Sequence, residues 1–168
     1  MLRHFGPPRT KKAVNPMSVA ITPTLPDSAD AAALIAELDA HLNPLYPAES
    51  RHGYSVARLI AQSVAFFVLR ADDTPAGCGG IQLFGTEYGE LKRMYVRPGF
   101  RGLGYGKLLL DHLSDYAWAQ GVGVLRLETG IHQLAAIKLY ERAGLQRIPP
   151  FGGYREDPLS LCYEKRIG

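Results

Sequence analysis

The sequence predicts a mixed α/β domain in which an antiparallel sheet precedes a β-α-β unit. Three runs of β-forming residues, 64–70, 76–84 and 88–96, are separated only by short turns, which is typical of an antiparallel meander. Downstream, long segments with helical spacing alternate with a short β-rich run, which is typical of a β-α-β unit. Both patterns lie in one chain of 168 residues, a length that favours one domain.

The elements before the meander are a strand, a helix, a loop and a second helix. The strand covers residues 18–24, where apolar and polar residues alternate. Asp27 is the predicted N-cap of the first helix, which ends at Asn43-Pro44. Its apolar face recurs at helical spacing: Ala31, Leu34, Ile35, Leu38 and Leu42. A loop over residues 45–53, dense in polar and aromatic groups, leads to a short helix over residues 55–62.

The elements after the meander alternate between helix and strand. A long helix covers residues 104–120, a strand 124–128, a second helix 134–143 and a last strand 159–165. Gly121 and Gly144 follow the two helices, and glycine is the common residue just past a helix C-terminus.

The net charge of +3 comes from one end of the chain. Residues 1–16 contain Arg3, Arg9, Lys11 and Lys12 and no acidic residue, so the rest of the chain has a net charge of −1. We predict a disordered basic extension over 1–16 and a single domain over 17–168. Nucleic-acid binding needs a basic surface, so we expect no nucleic-acid partner, although a basic arm at residues 1–16 remains an alternative.

Composition also bears on membranes, location and metals. The longest uninterrupted apolar runs have six residues, whereas about 20 are needed to span a bilayer. Residues 1–16 lack the apolar stretch of a secretory signal, so we expect a cytoplasmic protein without a membrane partner. Cys78 and Cys162 have no ligand neighbours at zinc spacing, so we expect no metal site.

A glycine-rich loop lies between the third strand of the meander and the long helix. Glycines at 102, 104 and 106 allow close backbone approach, and the helix that follows directs its positive end at the same place. Such a loop can bind an anion, phosphate above all. The spacing fits neither a dinucleotide fingerprint nor a P-loop, because Lys107 replaces the last glycine of one and Leu108 follows Lys107 where the other needs Ser or Thr.

Two motifs resemble those of a known family. Arg101-Gly-Leu-Gly104-Tyr-Gly106 resembles the (Q/R)xxGx(G/A) pyrophosphate loop of the GNAT family, the Gcn5-related N-acetyltransferases. Residues 136–145, a helix carrying Leu-Tyr before a Gly, resemble that family's second signature. The resemblance covers residues 18–166, best over 88–146, and points to a bacterial subgroup of small-molecule acetyltransferases. It implies the GNAT fold: a mostly antiparallel central sheet, with splayed fourth and fifth strands, flanked by helices.

The resemblance implies acetyl-CoA as the cofactor, bound in the gap between the splayed strands. It places the pyrophosphate on the backbone amides of Arg101, Gly102, Leu103, Gly104, Tyr105, Gly106 and Lys107. It places the pantetheine beside Met94, Tyr95 and Val96, paired with the strand edge. These three consecutive apolar residues break the period-two alternation, which is compatible with a β-bulge.

The resemblance also implies the catalytic groups. Tyr140 matches the tyrosine that protonates the leaving thiolate, while helical spacing alone is equally typical of a core aromatic. The attacking amine must be neutral, so a base or a water chain must take its proton. Glu90 is our first choice of base. Glu128 is a second candidate, and a mechanism without a dedicated side-chain base stays open.

Acceptor binding is expected to involve two variable segments, residues 46–52 and 151–155, as opposite walls of one site. The candidate substrate-binding residues are Tyr46, Glu49, His52, Glu128 and Tyr154. Glu49 could hold an ammonium group, and Arg51 or Arg155 a carboxylate, which would suit an amino acid-like acceptor.

The implied reaction moves the acetyl group of acetyl-CoA to a primary amine of a small molecule or amino acid derivative, by direct attack in a ternary complex. One alternative is acetylation of a protein lysine or N-terminus, which an open, acidic groove would favour and a closed pocket would oppose. Another is a non-catalytic acyl-CoA-binding or sensing domain. The resemblance leaves a homodimer open.

Overall fold

The computed structural model describes residues 17–168, and the extension predicted at 1–16 lies outside them. One seven-stranded sheet runs in the order β1-β2-β3-β4-β5-β7-β6. The strands are β1 Val19–Pro23, β2 Ala65–Ala71, β3 Thr74–Phe84, β4 Tyr88–Val96, β5 Val124–Gly130, β6 Gln146–Ile148 and β7 Ser160–Arg166. The helices are α1 Ala29–Leu42, α2 Val56–Ala61, α3 Tyr105–Ala119 and α4 Leu134–Arg142, with short 3₁₀ turns at Ala48–Ser50 and Pro98–Phe100.

The predicted order of elements is confirmed, with two corrections. Strands β2, β3 and β4 form the expected antiparallel meander. The N-cap of α1 is Ser28 rather than Asp27, because the Ser28 hydroxyl accepts a hydrogen bond from the Ala31 N–H (3.3 Å). Strand β6 was not predicted. It has only three residues and pairs antiparallel with β7 at the end of the sheet.

Strands β4 and β5 are parallel neighbours that touch over a very short length. Only two residue pairs join them, Gly89 with Leu125 and Glu90 with Arg126. From Leu91 onward β4 has no strand partner on this side among residues 17–168, and its other edge pairs with β3. The sheet therefore opens into a gap between β4 and β5, and the predicted splay of the fourth and fifth strands is confirmed.

A β-bulge lies in β4 beside this gap. Cys78 of β3 pairs with Tyr95, but Gly80 pairs with Lys92, so β4 carries one extra residue in this interval. Arg93 lies within it and has a left-handed backbone (φ 55°). Bulges re-aim side chains and strengthen the local twist. The imperfect alternation read from the sequence is thereby explained.

Helices cover both faces of the sheet. On one face, α3 and α4 pack through a cluster that includes Leu110, Leu113, Leu125, Leu127 and Tyr140. On the other face, α1 and α2 pack through Ala31, Leu34, Leu59, Val68 and Cys78. Burying side chains of this size stabilises a fold by roughly 1.5–3 kcal/mol each. The two clusters hold the β4–β5 gap between rigid layers.

Candidate active site

The glycine-rich loop presents unoccupied backbone donors at the start of α3. Gly102 and Gly104 have left-handed conformations (φ 77° and 81°), and no heavy atom lies within 4 Å of the position a Cβ would take on either. Gly104 is also the N-cap of α3 and has no side-chain acceptor for the first-turn N–H groups. These donors and the helix dipole form an anion site. The loop therefore fits the pyrophosphate of coenzyme A.

Side chains around this loop have structural partners. Arg101 Nε donates to the Val96 carbonyl (3.0 Å), and the exposed Lys107 pairs with Asp111 one turn along α3. A Cβ on Gly106 would lie 3.1 Å from Leu139 Cδ2, so glycine here permits close packing of α3 on α4. Backbone amides, more than these side chains, define the anion site.

The three predicted pantetheine neighbours lie on the stretch of β4 whose outer edge is open. Met94 packs beside Gly79, on the face covered by α3. The Tyr95 hydroxyl donates to Glu37 of α1 (3.3 Å), on the opposite face. In the part of the chain that the structure describes, their backbone groups on the β5 side have no strand partner. An extended amide-containing chain can therefore add to this edge in the manner of a further strand.

A cavity of about 320 Å³ lies at the splay and receives side chains from both diverging strands. Of the predicted site residues, Met94, Tyr46, His52, Glu128, Tyr140 and Tyr154 line it. Glu90 and Glu49 are not on its wall. The cavity thus brings the proposed acid and most of the acceptor candidates together.

Tyr140 reaches the cavity from α4. Its side chain is only 5% exposed. Burial, followed by the nearby charge of Glu128, raises the pKa of its hydroxyl well above the ordinary tyrosine value. A tyrosine is protonated at neutral pH even at its ordinary pKa, so the place of Tyr140 on the cavity wall, rather than the shift, is what suits it to a general acid.

Glu128 faces the same cavity from β5. Its Oε1 accepts a hydrogen bond from the Ser160 hydroxyl (2.7 Å). Burial raises the pKa of this carboxyl, while the Ser160 hydrogen bond and the charges of His52 and Lys92 oppose that rise. Within residues 17–168, Glu128 forms no ion pair. A half-buried carboxylate without a counter-ion is well placed to accept a proton.

Glu90 lies behind the cavity wall rather than on it. It is 3% exposed, and its Oε1 accepts hydrogen bonds from Lys92 Nζ (2.8 Å) and the Tyr154 hydroxyl (2.5 Å). The geometry therefore does not favour direct contact between Glu90 and a substrate. Glu90 stays a predicted base only if its contact with the amine runs through a water molecule.

Lys92 is a cavity residue that sequence reasoning missed. Its ammonium lies 3.9 Å from the ring centroid of Tyr54, in addition to its bond to Glu90. It also lies 3.2 Å from the Tyr154 hydroxyl. The spacing of Glu90 and Lys92, two residues apart on one strand, could have indicated a pair on one face.

Tyr46 closes the cavity toward the start of α4. Its hydroxyl accepts a hydrogen bond from the His132 N–H (3.0 Å), and a Cβ on Gly130 would lie 2.1 Å from the same oxygen. Only glycine at the end of β5 leaves room for this ring. The contact joins the α1–α2 connection to the β5–α4 loop.

A second, outer groove of about 540 Å³ adjoins the cavity. Residues 47–52 and 153–159 supply its walls, so the two predicted segments do meet, and Glu49 lies here. His52 and Tyr154 line both spaces, and His52 Nε2 lies 3.7 Å from Asp157 Oδ2. The groove offers a route from solvent to the cavity.

Within residues 17–168, no helix has both the length and the apolar character needed to cross a bilayer. The same residues contain no group of three or more His, Cys, Asp or Glu side chains arranged to hold a metal ion. The candidate active site consists of the glycine-rich loop, the open edge of β4 and the cavity.

These three features define a CoA-dependent acyltransferase. A sequence model of the Acetyltransferase (GNAT) family matches residues 35–145, and the chain belongs to that family. The resemblance drawn from the two motifs is confirmed. The protein is an acetyl-CoA-dependent N-acetyltransferase.

Similar proteins agree with this assignment. The chain is 46% identical over 136 residues to "IAA acetyltransferase" of Azospirillum brasilense, covering 80% of this chain and 88% of that protein. A candidate acyl-CoA N-acyltransferase from Klebsiella pneumoniae subsp. pneumoniae has a crystal structure with a TM-score of 0.76, 38% identity, and coverage of 89% and 98% of the two chains. The PaiA N-acetyltransferase of Thermoplasma acidophilum, solved with coenzyme A, shares the fold at a TM-score of 0.70 and 20% identity, with coverage of 90% and 100%.

Proposed function

We propose that the protein acetylates a primary amine of a small molecule or amino acid derivative, by direct attack within a ternary complex. The observation that carries this proposal is the cavity of about 320 Å³ at the splay, lined by Tyr140 and Glu128. When bound, acetyl-CoA supplies the activated acetyl group and the thiolate leaving group. Sites for small molecules commonly have volumes of roughly 300–1,000 Å³.

The walls of the cavity favour a small acceptor over a protein. Tyr46 bridges to the β5–α4 loop on one side. Tyr154 is fastened to Glu90 on another side. A lysine or N-terminus on a folded protein would need an open approach, whereas these two contacts wall the cavity on two sides. Acetylation of a flexible peptide end remains the second candidate, because the outer groove adjoins the cavity.

The loop and the strand edge have a binding role in this proposal. The amides of residues 102–107 bind the pyrophosphate, since Gly102 and Gly104 leave the surrounding space clear, whereas the Arg101 N–H donates to the Pro98 carbonyl (3.3 Å). The open edge of β4 at Met94, Tyr95 and Val96 aligns the pantetheine with the cavity. A backbone N–H of this edge also stabilises the charge that develops on the carbonyl oxygen.

Two side chains move protons. Tyr140 donates its proton to the leaving thiolate, since it lines the cavity and is protonated at neutral pH. Glu128 accepts the proton of the attacking amine, because it lines the cavity and has no cationic partner in the described part of the chain. Glu90 instead holds Lys92 and Tyr154 in place.

A panel of small amines, amino acids and short peptides, with detection of free thiol from acetyl-CoA, tests this proposal. Thiol release with small amines is the expected result. Release with peptides alone would favour the second candidate. A rise in melting temperature with acetyl-CoA, but no thiol release with any amine, would indicate a binding or sensing domain.

A further inference from the structure

Besides three tyrosines, the cavity is lined by six charged or titratable side chains: Asp39, Arg51, His52, Lys92, Arg93 and Glu128. Two cations among them have close acidic partners. Arg93 Nη2 lies 2.6 Å from Asp39 Oδ1, and Lys92 Nζ lies 2.8 Å from Glu90 Oε1. Their charges are largely cancelled where they stand, which leaves them little capacity to select a charged ligand.

Arg51 and Glu128 remain without an oppositely charged partner. Within residues 17–168, no acidic side chain lies within ion-pair distance of Arg51, and no basic side chain lies within that distance of Glu128. Arg51 follows the 3₁₀ turn after α1, whereas Glu128 lies on β5. The cavity therefore has one positive and one negative group that form no ion pair within residues 17–168, on different elements, with His52 and Lys92 acting on Glu128 only from longer range.

Arg51 is held in a fixed orientation by neutral acceptors. Its Nε donates to the Tyr46 carbonyl (2.8 Å) and its Nη2 to the Asn43 carbonyl (2.9 Å). Neither carbonyl carries a formal charge, so the guanidinium keeps its full charge. An arginine whose orientation is already set loses less side-chain entropy when it binds a carboxylate.

A second arginine lines the cavity, and its charge is offset by Asp39. Arg93 is a cavity residue with a 3% exposed side chain, and its Nε has no hydrogen-bond partner in the described residues. Gly53 lies beside it, where a Cβ would meet Nη1 at 2.2 Å. Arg93 is thus committed to Asp39, and among residues 17–168 Arg51 is the cavity arginine without an acidic partner.

We infer that the acceptor is a zwitterion, an amino acid-type molecule whose amine faces Glu128 and whose carboxylate binds Arg51. The inference deepens the proposed function and rests on it. An ammonium group entering beside Glu128 meets an unpaired carboxylate, which can hold it and then take its proton. A carboxylate on the same molecule gives Arg51 the anionic partner that the protein does not supply.

The experiment compares three matched acceptors with the full-length protein: an α-amino acid, its carboxamide and the amine that lacks the carboxyl group. Free thiol from acetyl-CoA is the readout. A hydrogen bond between charged groups corresponds to roughly 10-fold to 100-fold in affinity. We expect the amino acid to show the lowest KM by about that factor.

Variants at position 51 assign this preference to a residue. Arg51→Gln should raise KM for the amino acid about 10-fold or more, while KM for the carboxamide changes little. Arg51→Lys should keep part of the preference, because it retains the charge. Arg166 is exposed at the end of β7 and lines neither the cavity nor the outer groove. The matched control Arg166→Gln should therefore behave like the wild type.

Three results would overturn the inference. Equal KM values for the amino acid and its carboxamide would show that the carboxylate is not recognised. Equal losses for both acceptors in Arg51→Gln and Arg51→Lys would show that Arg51 only supports the loop. Loss of the preference in Arg155→Gln instead would place carboxylate recognition in the outer groove. Absence of thiol release with every amine would overturn the proposed function itself, a distinct outcome.

Discussion

The hydroxyl of Tyr154 donates a 2.5 Å hydrogen bond to Glu90, which fastens a chain segment that lacks regular secondary structure to the start of β4. Glu90 is also one of the two residues through which β4 touches β5. The acceptor-side wall is therefore attached at the point where the splay begins. Changes at this contact should therefore weaken acceptor binding more than cofactor binding.

Tyr154→Phe should raise KM for the acceptor and leave KM for acetyl-CoA close to the wild-type value. Removal of the hydroxyl leaves buried Glu90 with one donor fewer, which costs about 1–3 kcal/mol in the free energy of unfolding. Steady-state kinetics and chemical denaturation measure the two effects. Tyr116→Phe, at a half-buried position on α3 outside the cavity, is the control, and equal acceptor KM values in the two variants would contradict the prediction.

Tyr140→Phe should lower kcat by roughly 10²-fold or more while KM for acetyl-CoA changes little, since only the proton donor is removed. Tyr163→Phe is a matched control. Tyr163 is also buried, and its hydroxyl donates to Glu141 (2.9 Å), outside the cavity. That variant should lose stability and keep kcat. An unchanged kcat in Tyr140→Phe would remove this tyrosine from the mechanism.

Glu128 should control the acidic side of the pH profile. A base acts in its ionised form, so kcat/KM should rise with pH through a pKa above the ordinary glutamate value, because burial raises the pKa of this carboxyl. Glu128→Gln should remove this rise and lower kcat/KM by roughly 10²-fold or more. If Glu90→Gln, and not Glu128→Gln, abolishes the pH dependence, the base is Glu90.

Stability supplies an independent readout for Glu128. A raised pKa means that the folded chain holds this proton more tightly than the unfolded chain does. The contribution to stability is therefore present below the ordinary glutamate pKa and is lost as pH rises through the folded-state value. At pH 8, Glu128→Gln should have a melting temperature at least equal to that of the wild type, which separates lost catalysis from lost folding.

Gly104→Ala should weaken acetyl-CoA binding, and Gly121→Ala should not. Both glycines have left-handed backbones (φ 81° and 80°) with open space around the position of a Cβ. Each substitution should therefore lower the free energy of unfolding by a similar amount, about 1–2 kcal/mol. Only Gly104 lies in the anion loop. The rise in melting temperature caused by acetyl-CoA measures the difference, and an equal rise in both variants would exclude Gly104 from cofactor binding.

The sequence predicted the features that depend on local pattern. Glycines 102, 104 and 106 before a long amphipathic segment indicated an anion-binding turn, and two ordered motifs indicated the splayed sheet. Such features are encoded within a few residues. Short β6 was missed because three residues give too little periodicity, and it depends on pairing with β7 for its existence.

The position of Glu90 could not be read from local pattern. Whether a strand-end carboxylate faces a cavity or a buried ammonium depends on Lys92 and on Tyr154, which is 64 residues away. The bulge at Arg93 also shifts the side-chain alternation of β4 beyond Lys92. Alternation counted from Tyr88 and alternation counted from Val96 therefore assign the same residue to opposite faces of the strand.

The short junction between β4 and β5 has a mechanical consequence. Two residue pairs are all that join strands β1–β4 to strands β5–β7 within the sheet. The sheet therefore consists of two half-sheets joined at this junction, with helices α3 and α4 packed across one face. A ligand bound in the gap contacts β4 on one side and β5 on the other, and so connects the two half-sheets. Amide hydrogen exchange along β5 should therefore slow far more on cofactor binding than exchange along β2, at the centre of the first half.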